Sequence, residues 1–228
     1  MRTKLIVALD YPTWSEAEAL VQKLPEVKIF KVGLELYLAS QGQAVSELKK
    51  RGKEVFLDLK FHDIPHTVKQ AACQAAAQGV LMFNVHAWGG REMMKEAVQA
   101  AQAQDTLVLA VTVLTSFNET ALQELGLKNI QKTVANLASL AQEIGLDGVV
   151  ASPQEIALIR KTCGPDFKIV CPGIRPHWAA INDQKRIMTP KEALKLGADY
   201  LVIGRPITKA ADPRRAALRI IKEMEENE

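Results

Sequence analysis

The feature that most constrains this chain is an alternation. Short apolar runs of strand length exchange with longer helix-like runs from one end of the sequence to the other. The spacing predicts strands over Leu5–Leu9, Ile29–Val32, Val55–Leu59, Met82–Val85, Leu107–Leu114, Gly148–Ala151, Lys168–Val170 and Tyr200–Ile203. Helices are predicted over Ser15–Leu24, Glu35–Arg51, Thr67–Gln78, Arg91–Ala103, Pro153–Lys161, Pro190–Leu196 and Pro213–Glu226. A two-part connection, Asn118–Leu125 and Lys132–Ile144, joins the fifth and sixth strands. Strands that alternate with helices imply a parallel sheet covered by helices. Eight such units are the number that closes a barrel. The expected fold is therefore an α/β, (β/α)8 TIM barrel, a single domain over residues 1–228. An open doubly wound sheet is the alternative, but no G-x-G-x-x-G follows the first strand, which weakens its dinucleotide-binding form.

Composition narrows the function. A chain of 228 residues that is 48% hydrophobic can bury a sizeable core. A formal net charge of +3 with no basic cluster among aromatic residues argues against nucleic acid as a partner. A mild basic excess suits a small anionic substrate. The cysteines, Cys73, Cys163 and Cys171, show no C-x-x-C spacing and read as reduced thiols of a cytoplasmic protein. The first apolar run is too short for a signal peptide, and no stretch reaches membrane-spanning length.

The chemistry should lie where strands end, because in such a barrel the carboxyl ends share one mouth. The third strand runs into Asp58, Lys60 and Asp63. On a regular strand Asp58 and Lys60 share a face, with Leu59 pointing away into apolar packing. Asp63 followed by Pro65 also fits a plain helix cap. The first strand closes on Asp10, the second carries Lys31, and the fourth closes on Asn84 and His86. Thr115 and Ser116 are expected at the end of the fifth, and Pro172-Gly173-Ile174-Arg175 at the end of the seventh. Gly204-Arg205-Pro206 follows the eighth, where these barrels hold phosphate: glycine admits backbone N–H groups and arginine adds a bidentate donor. The long passage Gly173–Ile187 has the length of a lid, and Gln184 within it could reach a ligand from above. His62, His66, His86 and His177 form no ligand pattern, so no metal is expected.

Asp58-Leu59-Lys60-Phe61-His62-Asp63-Ile64-Pro65 resembles the D-x-K-x-x-D-I motif of the orotidine 5'-phosphate decarboxylase family. The resemblance extends through Ala8-Leu9-Asp10, Phe30-Lys31-Val32-Gly33 and Val113-Leu114-Thr115-Ser116. It continues through Pro172–Pro176, Asp183-Gln184-Lys185-Arg186 and Ile203–Ile207. D-x-K-x-x-D alone is shared by phosphosugar decarboxylases and aldolases of the same superfamily. The full set in this order is far more specific, and no motif position departs from it.

The resemblance implies decarboxylation of orotidine 5'-phosphate to uridine 5'-phosphate (UMP), with no metal and no organic cofactor. It implies a homodimer with active sites at the subunit interface. It makes Lys60 the proton donor to C6 and puts Asp58 beside the departing carboxylate. Asp63 and Thr67 reach the partner's site, and Ile64 of the same motif is counted among the substrate-binding residues. Asp10 and Lys31 hold ribose hydroxyls, with Lys31 also touching Asp58. Thr115 and Ser116 lie near the pyrimidine, and Arg175, Gln184, Gly204 and Arg205 face the phosphate. The nearest rivals, 3-keto-gulonate 6-phosphate decarboxylase and hexulose-phosphate synthase, use Mg2+ with an acidic ligand on strand two, where this chain has Lys31.

Overall fold

The computed structural model describes residues 4–179 and 188–225. Among these, eight parallel strands close a barrel in sequence order, β8 returning to β1. The strands are β1 (Lys4–Ala8), β2 (Ile29–Gly33), β3 (Glu54–Phe61), β4 (Met82–His86), β5 (Leu107–Val111), β6 (Gly148–Val150), β7 (Lys168–Cys171) and β8 (Tyr200–Ile203). The first helices are α1 (Trp14–Lys23), α2 (Leu34–Ala39), α3 (Gln43–Lys50), α4 (Pro65–Ala77) and α5 (Gly90–Ala101). They are followed by α6 (Glu119–Glu124), α7 (Ile130–Ile144), α8 (Ile156–Cys163), α9 (Pro190–Lys195), α10 (Arg205–Thr208) and α11 (Pro213–Glu225). The closed barrel replaces the open-sheet alternative.

Two apolar cores follow from the two-residue period of the strands. Leu5, Val7, Phe30, Val32, Val55, Leu57, Phe83 and Val85 point outward and meet the helices. Ile6, Ala8, Ile29, Phe56, Met82, Leu109, Val170, Tyr200 and Val202 fill the barrel interior. Full burial of a side chain such as Phe30, Phe56 or Phe83 contributes about 1.5–3 kcal/mol each. The same parity then decides what lines the mouth. Continuing inward-facing positions toward the carboxyl ends gives Asp10 after β1, Lys31 and Gly33 on β2, Asp58 on β3, Asn84 and His86 on β4, and Gly204 after β8. A hydrophobic plug thus supports a polar layer directly above it.

Five local expectations differ from the structure. The single helix expected over Glu35–Arg51 is two, because Gln41 and Gly42 take left-handed backbone at φ 51° and 80°. Ser40 closes the break by donating from Oγ to Leu36 O at 2.6 Å. β5 stops at Val111, so Thr115 and Ser116 lie on an exposed turn beyond it and not at the strand end. Strand β3 runs on to Phe61, and a short helix, α10, follows Gly204. Asp63 does not cap α4: the capping position is Ile64, and Asp63 Oδ1 only accepts from the neighbouring Ile64 N–H at 2.6 Å. The helix relies instead on Pro65 at its first position, whose missing N–H costs nothing there.

Candidate active site

The charged side chains at the mouth form one connected chain. Lys31 Nζ sits 3.0 Å from Asp10 Oδ1 and 3.4 Å from Asp58 Oδ2. Lys60 Nζ donates to the other oxygen, Asp58 Oδ1, at 2.6 Å. The order is Asp10, Lys31, Asp58, Lys60, two carboxylates alternating with two ammoniums. Their formal charges cancel. Exposure increases from the centre outward: Lys31 and Asp58 are 12% and 13% exposed, Lys60 is 33% and Asp10 is 64%.

Burial and charge oppose each other here. Burial alone would push the Asp58 carboxyl up, but Lys31, Lys60 and a hydrogen bond from Asn84 outweigh it and hold the group below the ordinary range. Burial would likewise push Lys31 down, yet Asp58 and Asp10 together raise it above the usual lysine value. The central pair is therefore ionised at neutral pH. Gly33 leaves room for Lys31: a Cβ there would stand 3.0 Å from Lys31 Nζ, so the ammonium would have to shift by a few tenths of an ångström. Its φ of −93° suits any residue, so the glycine serves space and not backbone conformation.

Lys60 does not occupy an ordinary strand position. Pairing of β3 with β4 shifts from Leu57↔Phe83 to Phe61↔Val85, so four steps on β3 face two on β4. Lys60 sits in this bulge with φ 49°, a conformation that costs a non-glycine residue roughly 1–2 kcal/mol. Leu59 packs against the outer core as expected.

A second group of polar residues closes the opposite side of the mouth. A cavity of about 170 Å³ is lined by Asp10, Lys31, Gly173, Arg175, Gly204 and Arg205 among others. Arg175 is 4% exposed, and its backbone N–H donates to Met188 O at 2.9 Å. An adjoining cavity of about 230 Å³ brings Arg175, Arg205 and Lys209 together beside Trp178. Cations at one end and the alternating array at the other suit a ligand that carries an anion remote from its reacting atoms. Among the described residues, no cluster of His, Cys, Asp and Glu is arranged to hold a metal ion.

Over residues 3–220 the chain matches the family described as orotidine 5'-phosphate decarboxylase / HUMPS. It belongs to that family. The chain is 53% identical to orotidine 5'-phosphate decarboxylase of Geotalea daltonii over 230 residues, covering 98% of this chain and 96% of that protein. It is 51% identical to the protein of the same name from Trichlorobacter lovleyi, covering 98% and 95%. The crystal structure of orotidine 5'-phosphate decarboxylase from Lactobacillus acidophilus superposes with a TM-score of 0.87 at 36% identity, covering 97% of this chain and 99% of that one.

Against the residues that the family motif points to, the structure draws a division. It brings Asp10, Lys31, Asp58 and Lys60 into contact, and it places Gly204, Arg205 and Arg175 around one cavity. Asp63, Ile64 and Thr67 stand exposed outside the array, as do Thr115 and Ser116. Gln184 lies outside the described residues. Asn84 is the residue whose part in the array the sequence did not reveal. Its strand-end position and inward parity were visible, but its hydrogen bonds were not. His86 is a lesser case: its ring stacks on His62 with centroids 5.4 Å apart and planes at 27°.

Proposed function

We propose that this chain decarboxylates orotidine 5'-phosphate to UMP and CO2, the last step of pyrimidine nucleotide synthesis, with residues 1–228 acting as a single barrel domain. The observation that carries the reading is the Asp10–Lys31–Asp58–Lys60 array. It occurs in a chain about half identical, over nearly its whole length, to proteins named for that activity. In the reaction the C6–carboxylate bond breaks, the electron pair stays on C6, and CO2 departs. The Lys60 ammonium lies beside Asp58, where it would stabilise that charge electrostatically and then deliver a proton to C6. Asp58 would face the substrate carboxylate, a contact relieved as CO2 leaves. Asp10 and Lys31 would take the ribose hydroxyls. Arg175, Gly204 and Arg205 would hold the phosphate, with Gln184 bridging phosphate and base, and Thr115 and Ser116 near the pyrimidine. Remote binding of the phosphate would then help fix C6 against Lys60.

The same proposal includes a homodimer. Leu34 and Leu38 on α2, Ile64 before α4 and Trp88 after β4 are 54%, 71%, 67% and 37% exposed. They emerge from the carboxyl ends of three adjacent strands, and a second copy would cover them. Asp63 and Thr67 would then serve the partner's site. The site would work without a metal or organic cofactor, a reading supported by Lys31 filling the space between two carboxylates that a divalent cation would require.

The test is direct. Purified protein mixed with orotidine 5'-phosphate should consume it, followed by ultraviolet absorbance, at the same rate with and without EDTA. Absence of turnover would overturn the activity, and strict Mg2+ dependence would move the chain to the phosphosugar branch of the family.

A further inference from the structure

The position of Lys60 raises a structural question: what holds a catalytic side chain in place on a bulge. Regular ladder bonds are interrupted between Leu57 and Phe61. Directly opposite, between Phe83 and Val85, stands Asn84, whose side chain is wholly buried. Its Oδ1 accepts from the Lys60 backbone N–H at 2.7 Å. Its Nδ2 donates to Asp58 Oδ1 at 2.7 Å, the same oxygen that receives Lys60 Nζ. One amide therefore grips the backbone of the lysine and the carboxylate that the lysine pairs with.

We infer that Asn84 is a positioning residue that fixes the Lys60 ammonium relative to Asp58. The chemistry of the site leaves few substitutes. The position must accept from an N–H and donate to a carboxylate at once, without adding charge, and a primary amide does both. A reversed amide would set NH2 against the Lys60 N–H and oxygen against the carboxylate, so the two partners fix its orientation. A carboxylate here could accept from Lys60 N–H but would repel Asp58. An aliphatic residue would leave the Lys60 N–H without its partner and remove one donor from Asp58, which would keep only its two lysines. The left-handed Lys60 backbone is thus secured by a side chain in place of the missing ladder bond. The hydrogen bonds of Asn84 run to Lys60 and Asp58 on β3, whereas the residues proposed to hold ribose and phosphate lie on or just after β1, β2, β7 and β8.

The inference rests on the decarboxylase reading, and the experiment separates the two. Wild type, Asn84→Ala and Asn84→Asp are compared for kcat, KM and UMP affinity. Asn84→Ala should lower kcat by about 10²-fold, the scale expected when a reacting group shifts by about 1 Å, while UMP affinity stays within about threefold. Asn84→Asp is the second arm. A protonated carboxyl can donate and accept like the amide, so its activity relative to wild type should rise as pH falls from 8 to 5. Unchanged kcat in Asn84→Ala, a parallel loss of UMP affinity, or an Asn84→Asp activity that stays as low as that of Asn84→Ala from pH 8 to 5 would each overturn the positioning role. An inactive wild type would instead overturn the activity itself.

Discussion

At the residue scale, the chain solves a problem of charge. A lysine beside a substrate carbanion must be protonated before the reaction and close enough to give its proton away. Asp58 provides the counter-charge at 2.6 Å, and Lys31 braces Asp58 from the other side at 3.4 Å. Replacing Lys60 removes the proposed proton donor but leaves the cations around the cavity at the other side. Lys60→Ala should therefore reduce kcat by about 10⁴-fold or more while UMP binding persists within about tenfold. Equilibrium UMP binding beside single-turnover assays checks this, and substantial residual kcat would refute the role. Much of this site was legible from strand parity, since Asp10, Lys31 and Asp58 all continue inward-facing rows. Lys60 was legible by type but not by geometry, because its place depends on a bulge that no two-residue period contains.

At the scale of elements, the strand ends that form the charged array also make the stability of the fold sensitive to pH. His86 closes β4 half-buried, with Nδ1 enclosed and no hydrogen-bond partner among the described residues. Burial, then His62 and Lys60, push its pKa from 6.5 to about 4. The sign follows from linkage. As pH falls below 6.5 the unfolded chain takes up a proton that the folded chain refuses, so stability is present above that value and lost toward about pH 4. His86→Gln should flatten this loss between pH 7 and 4.5, measured by urea unfolding at fixed salt. Parallel curves for wild type and variant would reject the assignment. Asp58, with its pKa depressed, begins to lose its contribution as pH falls through the ordinary carboxylate value and goes on losing it below, so its window adjoins the acid end of the His86 window. Element boundaries were less legible than element types. The break between α2 and α3 turns on left-handed backbone at Gln41 and Gly42, and α10 is too short to show a period.

At the scale of the whole molecule, the barrel gathers residues from most of its strands into one mouth, yet leaves Asp63, Ile64 and Thr67 facing outward. If a second copy receives them, mixing Asp63→Ala with Lys60→Ala protein should restore about a quarter of wild-type activity, the share expected from random pairing with one intact site in each hybrid. Activity that stays at the level of the separate variants, after verified subunit exchange, would count against a shared site. The alternation of apolar runs by itself determined a parallel sheet covered by helices, because each element must bury one face, and the count of eight pointed to closure, which the pairing of β8 with β1 decided. The parity of the strands also determined that Asp10, Lys31 and Asp58 face the mouth, since side-chain direction has a fixed period. Only the tertiary structure decided the contacts among them. The bulge at Lys60, the amide of Asn84 across from it and the clearance over Gly33 arise between neighbouring strands, and the pattern within any single strand does not encode them.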